Sequence, residues 1–296
     1  MARANPIVIQ PRPKMRRMAD IWGRLKKNKL AMVGLVIISV FIFAAIFADL
    51  IVDYHDMAIT QSRNRLAPPS LKHIFGTDHL GRDVFARIVH GGRLSLSLGF
   101  VSTAIALVIG GIFGAMAGYF GGRLDSIIMR IMDLLLSLPA ILLALAIIAA
   151  LGTSITNLVI AIVVANIPGF ARIVRASVLT VVGQEYIEAS KAIGMGSTRI
   201  ILTNVIPNAL GPIIVQATMA VAGMIIAAAS LSFLGMGIQP PTPEWGAMLA
   251  DAEGYMRHYP YLVIFPGLAI VLSALSLNLV GDGLRDALDP KLKNVG

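Results

Sequence analysis

The chain has 296 residues, 56% of them hydrophobic and 14% charged, with a mean hydropathy of +0.79 and a formal net charge of +9. A soluble globular protein carries about 25% charged residues, so there is too little polar material here to cover a water-facing surface. The absence of cysteine excludes disulfides and thiolate metal sites. The basic residues are not gathered into a folded domain of the kind a nucleic-acid partner needs, so the charge reads as an orientation signal and lipid-headgroup contact.

Residues 1–29 form a basic tail with nine Lys and Arg against a single acid, Asp20. It begins Pro-rich. From about Met15 the pattern fits a basic amphipathic helix on the inner leaflet with Trp22 as interfacial anchor, and it fits an unstructured topogenic tail equally well. The uncharged run 30–48 follows. It is longer than a signal-peptide core and lacks a small-x-small cleavage site, so it reads as a retained anchor. Further uncharged runs occupy 94–122, 134–171, 200–243 and 259–281. With about 20 residues needed per crossing, and the polar stretch "GTSITN" (152–157) as a turn, they predict six transmembrane helices. These lie at 30–52, 94–118, 127–151, 157–174, 208–231 and 261–281. The expected fold class is therefore all-α and polytopic, with a core over 94–283 and a tail over 284–296.

Lys and Arg set the topology. With the amino terminus inside, 18 basic residues fall on the inner side and seven on the outer, six of those in the long loop 53–93, where the rule weakens. In that loop Asp78, Arg82, Asp83 and Arg87 recur at helical spacing, beside apolar Val84, Phe85 and Ile88. They predict a short outer-face helix, with ion pairs rather than a metal site at Asp78, His79 and Asp83. Within the membrane, Gly114 and Gly118 form a GxxxG that lets helices approach closely. Pro139, Pro168, Pro212 and Pro266 interrupt backbone hydrogen bonding in or near spans. Arg130 and Asp133 are close enough to pair. No chain of Asp, Glu or His crosses the bilayer, which argues against an ion-driven secondary transporter. Asn166, Gln216 and Asn278 are scattered singly, as helix contacts are, and do not cluster as a membrane enzyme would require.

The stretch "EYIEASKAIGMGSTRIILTNVIPN" (185–208) interrupts this apolar chain on the inner side, within the segment 172–207. Tyr186, Ala189 and Ile193 make one apolar stripe of a short helix, while Glu185, Glu188 and Lys191 make the polar one. Gly194 and Gly196 end it, Ser197 is placed to cap the next turn, and Pro207 marks the return to the membrane. Such a bent, surface-lying helix pair suits insertion into a groove on another protein, and it suits a membrane-surface loop as well. The outer loop 237–260 is Pro-rich with a single Trp245. It reads as a re-entrant or surface element that shapes the outer gate and touches a partner, or as a connector with Trp245 at the interface.

The pattern 185–208 resembles the "EAA" signature of binding-protein-dependent ABC import permeases. Glu188, Ala189 and Ser190 match its first three positions, with Ser in place of the second Ala. Gly194 matches the glycine and Ile206-Pro207 the closing hydrophobic-Pro pair, while Asn204 stands where an aliphatic residue is usual. "FGTDHLGRD" (75–83), "GYFGGRLDSIIMRIMD" (118–133), "SLSFLGMGIQPPTPEWGAML" (230–249) and "NLVGDGLRDALDPKLK" (278–293) are similar to the dipeptide, oligopeptide and nickel branch, second permease subunit. The resemblance covers about residues 25–293. It implies a type I importer permease fold in a bacterial or archaeal plasma membrane, with no catalytic residue of its own. It also implies that Glu188, Ala189, Ser190, Gly194, Ile206 and Pro207 form a coupling helix docked in a cleft of an ATPase subunit. The implied partners are a homologous second permease, two ABC ATPase subunits and an extracytoplasmic solute-binding protein. With no G-x-x-x-x-G-K-[ST] loop in this chain, ATP and Mg belong to the ATPases, and no cofactor is expected here. The implied solute is a di- or oligopeptide, with nickel chelates, glutathione or opines as alternatives.

Overall fold

The computed structural model describes residues 14–54 and 64–288. The Pro-rich start of the basic tail and the last eight residues lie outside them. The described chain is helical apart from connecting turns and one isolated bridge, Thr77 to Asp83. A bilayer offers backbone groups no water, so each apolar run must satisfy its own hydrogen bonds as a helix. In chain order these are α1 (Lys14–Leu25), α2 (Lys29–Ile46), α3 (Ala48–Ile51), α4 (Val84–Phe120), α5 (Gly122–Leu136), α6 (Ala140–Leu151), α7 (Ile155–Val182), α8 (Glu185–Ala192), α9 (Ser197–Ile200), α10 (Ile206–Phe233), α11 (Trp245–Ala252) and α12 (Tyr261–Leu288). A five-residue π-helical stretch, Ile201–Val205, joins α9 to α10.

Five helical stretches are long and apolar enough to cross a membrane: α2, α4, α7, the continuous run Ser197–Phe233, and α12. The sixth candidate differs from expectation. Instead of one straight helix over 127–151, the chain makes α5 and α6, bent by 84°. Pro139 explains the break: it has no N–H to donate, and its ring clashes with the preceding turn and pushes Leu138 out of the helical region. Pro139 itself sits at φ −54°, ψ 131° as the entry to α6, and the Ser137 hydroxyl closes the end of α5 on the Leu134 carbonyl at 2.7 Å. Pro168, Pro212 and Pro266 are accommodated inside α7, α10 and α12.

The core is built around α4 and α7. Where they cross, Gly110, Gly114 and Gly118 of α4 face α7. A methyl on Gly110 would fall 2.6 Å from the Ile167 carbonyl oxygen, and one on Gly114 would land on the Ala171 carbonyl. The suspected small-residue contact is therefore a real backbone-to-backbone approach. A second cluster gathers α2, α4, α10, α11 and α12 around Trp245, and a small one seats Leu25 of α1 against Ala287 of α12.

Three local expectations are corrected. Among the described residues of 53–93 there is no separate short helix. Asp78 folds back to accept from the backbone N–H groups of Leu80 and Arg82, both at 2.9 Å, with Gly81 at φ +83°. Asp83 then accepts from Ala86 N as the N-cap of α4. The helix thus starts at Val84 and runs unbroken into the second span, because two aspartates at cap and turn positions win over their helical spacing. Asp133 pairs with Arg172 of the neighbouring helix α7 at 2.6 Å rather than with Arg130. Trp245 is no interfacial anchor: it is fully buried, its indole N–H donates to the Ile88 carbonyl at 3.0 Å, and it meets Phe41 edge-on.

Candidate functional site

The charged interruption folds as a short elbow. α7 continues to Val182, so the first part of segment 172–207 is straight helix, and the elbow proper is α8, α9 and the π stretch. Glu185 and Glu188 lie in the first turn of α8 and Lys191 in its last, the arrangement that complements a helix dipole. At the far end Gly194 adopts φ +77°. The Met195 N–H donates to the Ser190 carbonyl at 3.1 Å and the Gly194 N–H to that of Lys191 at 3.0 Å, a Schellman closure that needs a left-handed residue at this point. α9 starts at Ser197 with Gly196 at its N-cap and no side-chain cap bond, so Ser197 does not cap the second turn. Ile206 is half-buried, and Pro207 is the second residue of α10, directly after the π-helical stretch.

The elbow rests on the helices through Ile187, Ile200 and Val205, all fully buried against Val174 and Val178 of α7, Ala115 of α4 and Ala209 and Ile213 of α10. Ile187 was not singled out from the sequence, although as the central aliphatic of the short helix it was the available signal. The Lys191 ammonium lies 5.4 Å from the centre of the Tyr119 ring at the end of α4. The predicted apolar stripe faces away from all this. Tyr186 is 45% exposed and Ile193 78%, and the small Ala189 between them is exposed too, alongside Glu188. Two large apolar side chains with a dent between them therefore stand uncovered.

Ser190 and Asn204, the two departures from the signature, meet. The Asn204 amide donates to Ser190 Oγ at 3.0 Å, and the Ser190 hydroxyl donates to the Tyr186 carbonyl at 2.7 Å. Where the signature usually carries an aliphatic residue, Asn204 thus makes a polar contact.

Beside the elbow, α5 is held to α7 by two pairs, Arg172–Asp133 and a two-pronged Arg175–Asp125 at 2.6 Å for each prong. They border an open recess of about 500 Å³ with Ser126 and Met129. At the other end of the molecule, Asp78 takes Arg82 Nε at 2.6 Å and Arg87 Nη1 at 2.7 Å, and Asp251, the penultimate residue of α11, takes Arg82 Nη2 at 3.0 Å. Asp83 bonds His73 at 2.8 Å, and His79 stacks on Tyr255. The residues weighed for a metal are thus engaged in ion pairs, a cap and a ring stack. Of the scattered polar groups, Asn166 donates to the Ile162 carbonyl of its own helix at 2.8 Å.

The family model described as "Binding-protein-dependent transport system inner membrane component" matches residues 110–294. The chain belongs to that family. The permease is accordingly a multi-pass inner-membrane subunit of a transport system. A second model, the N-terminal TM domain of oligopeptide transport permease C, matches residues 17–69. Among named relatives, the dipeptide transport system permease protein DppC of Alkalihalophilus pseudofirmus is 51% identical, covering 93% of this chain and 90% of its own. The di/tripeptide transport system permease protein DppC of Pseudomonas aeruginosa is 44% identical over 98% and 96%. The glutathione transport system permease protein GsiD of Escherichia coli is 45% identical over 93% and 90%. Of solved structures, the inward-facing MetNI methionine ABC transporter matches with a TM-score of 0.58 at 21% identity, over 69% of the permease and 97% of the matched chain. That likeness supports the fold.

Proposed function

We propose that the permease is the second membrane subunit of an ATP-driven importer of di- and oligopeptides, and that α8 is its coupling helix. The observation that carries the coupling assignment is the uncovered face of α8: Tyr186 and Ile193 project from a helix whose opposite side is locked onto three spans. An exposed apolar pair on a short, rigidly seated helix has the form of a knob for a partner's groove. Glu188 adds charge to that contact, Ala189 the close approach and Gly194 the bend, with Ile206 and Pro207 leading into α10.

In this proposal the amino terminus and the elbow face the cytoplasm. A homologous second permease completes the path, two ABC ATPase subunits hold ATP and Mg, and an extracytoplasmic binding protein delivers the solute. ATP binding draws the ATPases together, α8 moves with the cleft it occupies, and α7, α4 and α10 carry that movement into the membrane. The path opens outward, takes the solute, and hydrolysis resets it. The permease supplies no catalytic group and binds no cofactor. Identity to two peptide permeases supports peptide as solute, and identity to a glutathione permease supports the closely related tripeptide as the second reading.

The test is uptake into vesicles that hold the permease with its membrane partner, ATPases and binding protein. Labelled dipeptide should enter only with ATP and all components, and excess dipeptide should outcompete glutathione. Uptake driven by an ion gradient without the ATPases would sink the assignment, and preferential uptake of glutathione would select the second reading.

A further inference from the structure

We propose that the Ser190–Asn204 hydrogen bond is a positioning contact that makes α8 and the foot of span α10 move as one body; this rests on the coupling role given to α8. The covalent route between them is poorly suited to the task. It runs through the left-handed turn at Gly194, the second turn at Gly196, and the π-helical stretch Ile201–Val205. A π-helical stretch is rare and sits where a helix departs from its regular ladder, so a push on α8 delivered along the backbone would be absorbed in the bend.

The polar contact bypasses that bend. Asn204 lies inside the π stretch and reaches back 14 residues to Ser190, which is 8% exposed. Its own carbonyl accepts from the Asn208 amide of α10 at 2.6 Å. Tyr186, Ser190, Asn204 and Asn208 therefore form one hydrogen-bonded line from the docking helix to the span. The Ser190 hydroxyl works in both directions, donating to the Tyr186 carbonyl and accepting from Asn204. The apolar contacts of Ile187, Ile200 and Val205 hold the elbow down without fixing direction, because burial is non-directional. A hydrogen bond fixes both distance and angle. The two substitutions also depend on each other: with alanine at 190, the partly buried Asn204 amide would keep only its long contact to Met195 Sδ at 4.0 Å, which is unfavourable.

The test uses the assembled transporter and reads ATP hydrolysed per dipeptide imported. Asn204→Ala should raise that ratio about fivefold, the change in an equilibrium expected from loss of one neutral hydrogen bond, while maximal ATP hydrolysis is retained. Ser190→Ala breaks the same bond from the other side and should shift the ratio equally. Because it installs the alanine usual at this position, it carries the test if Asn204→Ala fails to assemble. The double alanine variant should be no looser than either single one. A purely structural contact would lower the amount of complex and leave the ratio alone. An unchanged ratio in the single variants, or shifts that multiply in the double one, would overturn the proposal. Gly194→Asp serves as the control: if it uncouples hydrolysis from uptake and the alanine variants do not, only the positioning contact falls. If Gly194→Asp also leaves uptake coupled, the docking role of α8 falls with it.

Discussion

Gly194 occupies the left-handed region at the end of α8, which costs a residue with a Cβ about 1–2 kcal/mol. Nothing crowds the position: a methyl there would meet open space. Gly194→Ala should therefore strain the elbow slightly and leave uptake measurable, whereas Gly194→Asp adds a charge beside the exposed Ile193. Uptake in the Asp variant is expected to fall at least about tenfold, equivalent to 1.4 kcal/mol, with ATP hydrolysis persisting and membrane insertion normal. Glu188→Lys, which reverses a charge on the same face, should behave alike; comparison of uptake with phosphate release in the two variants checks both. Asn166, Gln216 and Asn278 are expected to matter far less. Asn166 is already bonded to its own helix, so alanine at any of the three should change uptake by less than about fivefold. The ranking of different peptides in competition assays should not move.

At the scale of elements, the seam between α4 and α7 has no slack. Gly114→Leu would drive a side chain into the Ala171 carbonyl and Val174, and overpacking of this kind costs about 1–3 kcal/mol. A lowered unfolding temperature of the purified permease is expected, together with reduced yield. Gly111, three residues earlier on the same helix, meets open space, so Gly111→Leu is the matched control and should be tolerated. The helices themselves were legible because uncharged runs of this length leave no other solution in a bilayer. What hydropathy could not convey was direction: Pro139 lies in an unbroken apolar run, and averaging over that run hides an 84° bend. The start of α4 was misjudged for a related reason. Asp78 and Arg82 are four apart, as helical partners are, but an aspartate can satisfy the same groups from a turn, and Gly81 made that turn available. At the elbow, the signature residues and the apolar stripe of Tyr186, Ala189 and Ile193 could be read from spacing alone. The contact of Ser190 with Asn204 could not, because it closes across two turns and a π stretch whose geometry no periodicity encodes.

At the scale of the whole molecule, two regions distant in sequence are joined by charge. Arg82 and Arg87 are 2% exposed and share Asp78 and Asp251 between them. Removing one partner of such a buried set leaves an uncompensated charge and costs about 3–5 kcal/mol, so Asp78→Ala should abolish accumulation of the permease at growth temperature, as judged by immunoblot of membranes. Orientation is testable in the same intact cells because the chain contains no cysteine. Thr242→Cys and Met256→Cys should react with an impermeant thiol reagent from outside, and Lys191→Cys only after permeabilisation. The opposite pattern would invert the proposed topology.

The burial of Trp245 bears on how the permease is made. Its slot is walled by Phe41 of α2 and Ile88 of α4, and Asp251 close behind it completes the charge set of Arg82 and Arg87. Synthesis runs from the amino end, so α2 and α4 enter the membrane long before either residue leaves the ribosome. Until then the early helices carry an empty aromatic slot and two arginines short of a carboxylate. A message that stops just after α10 therefore yields something worse than a permease lacking its last span: a protein whose first half was never finished, and which the membrane's quality-control proteases should clear.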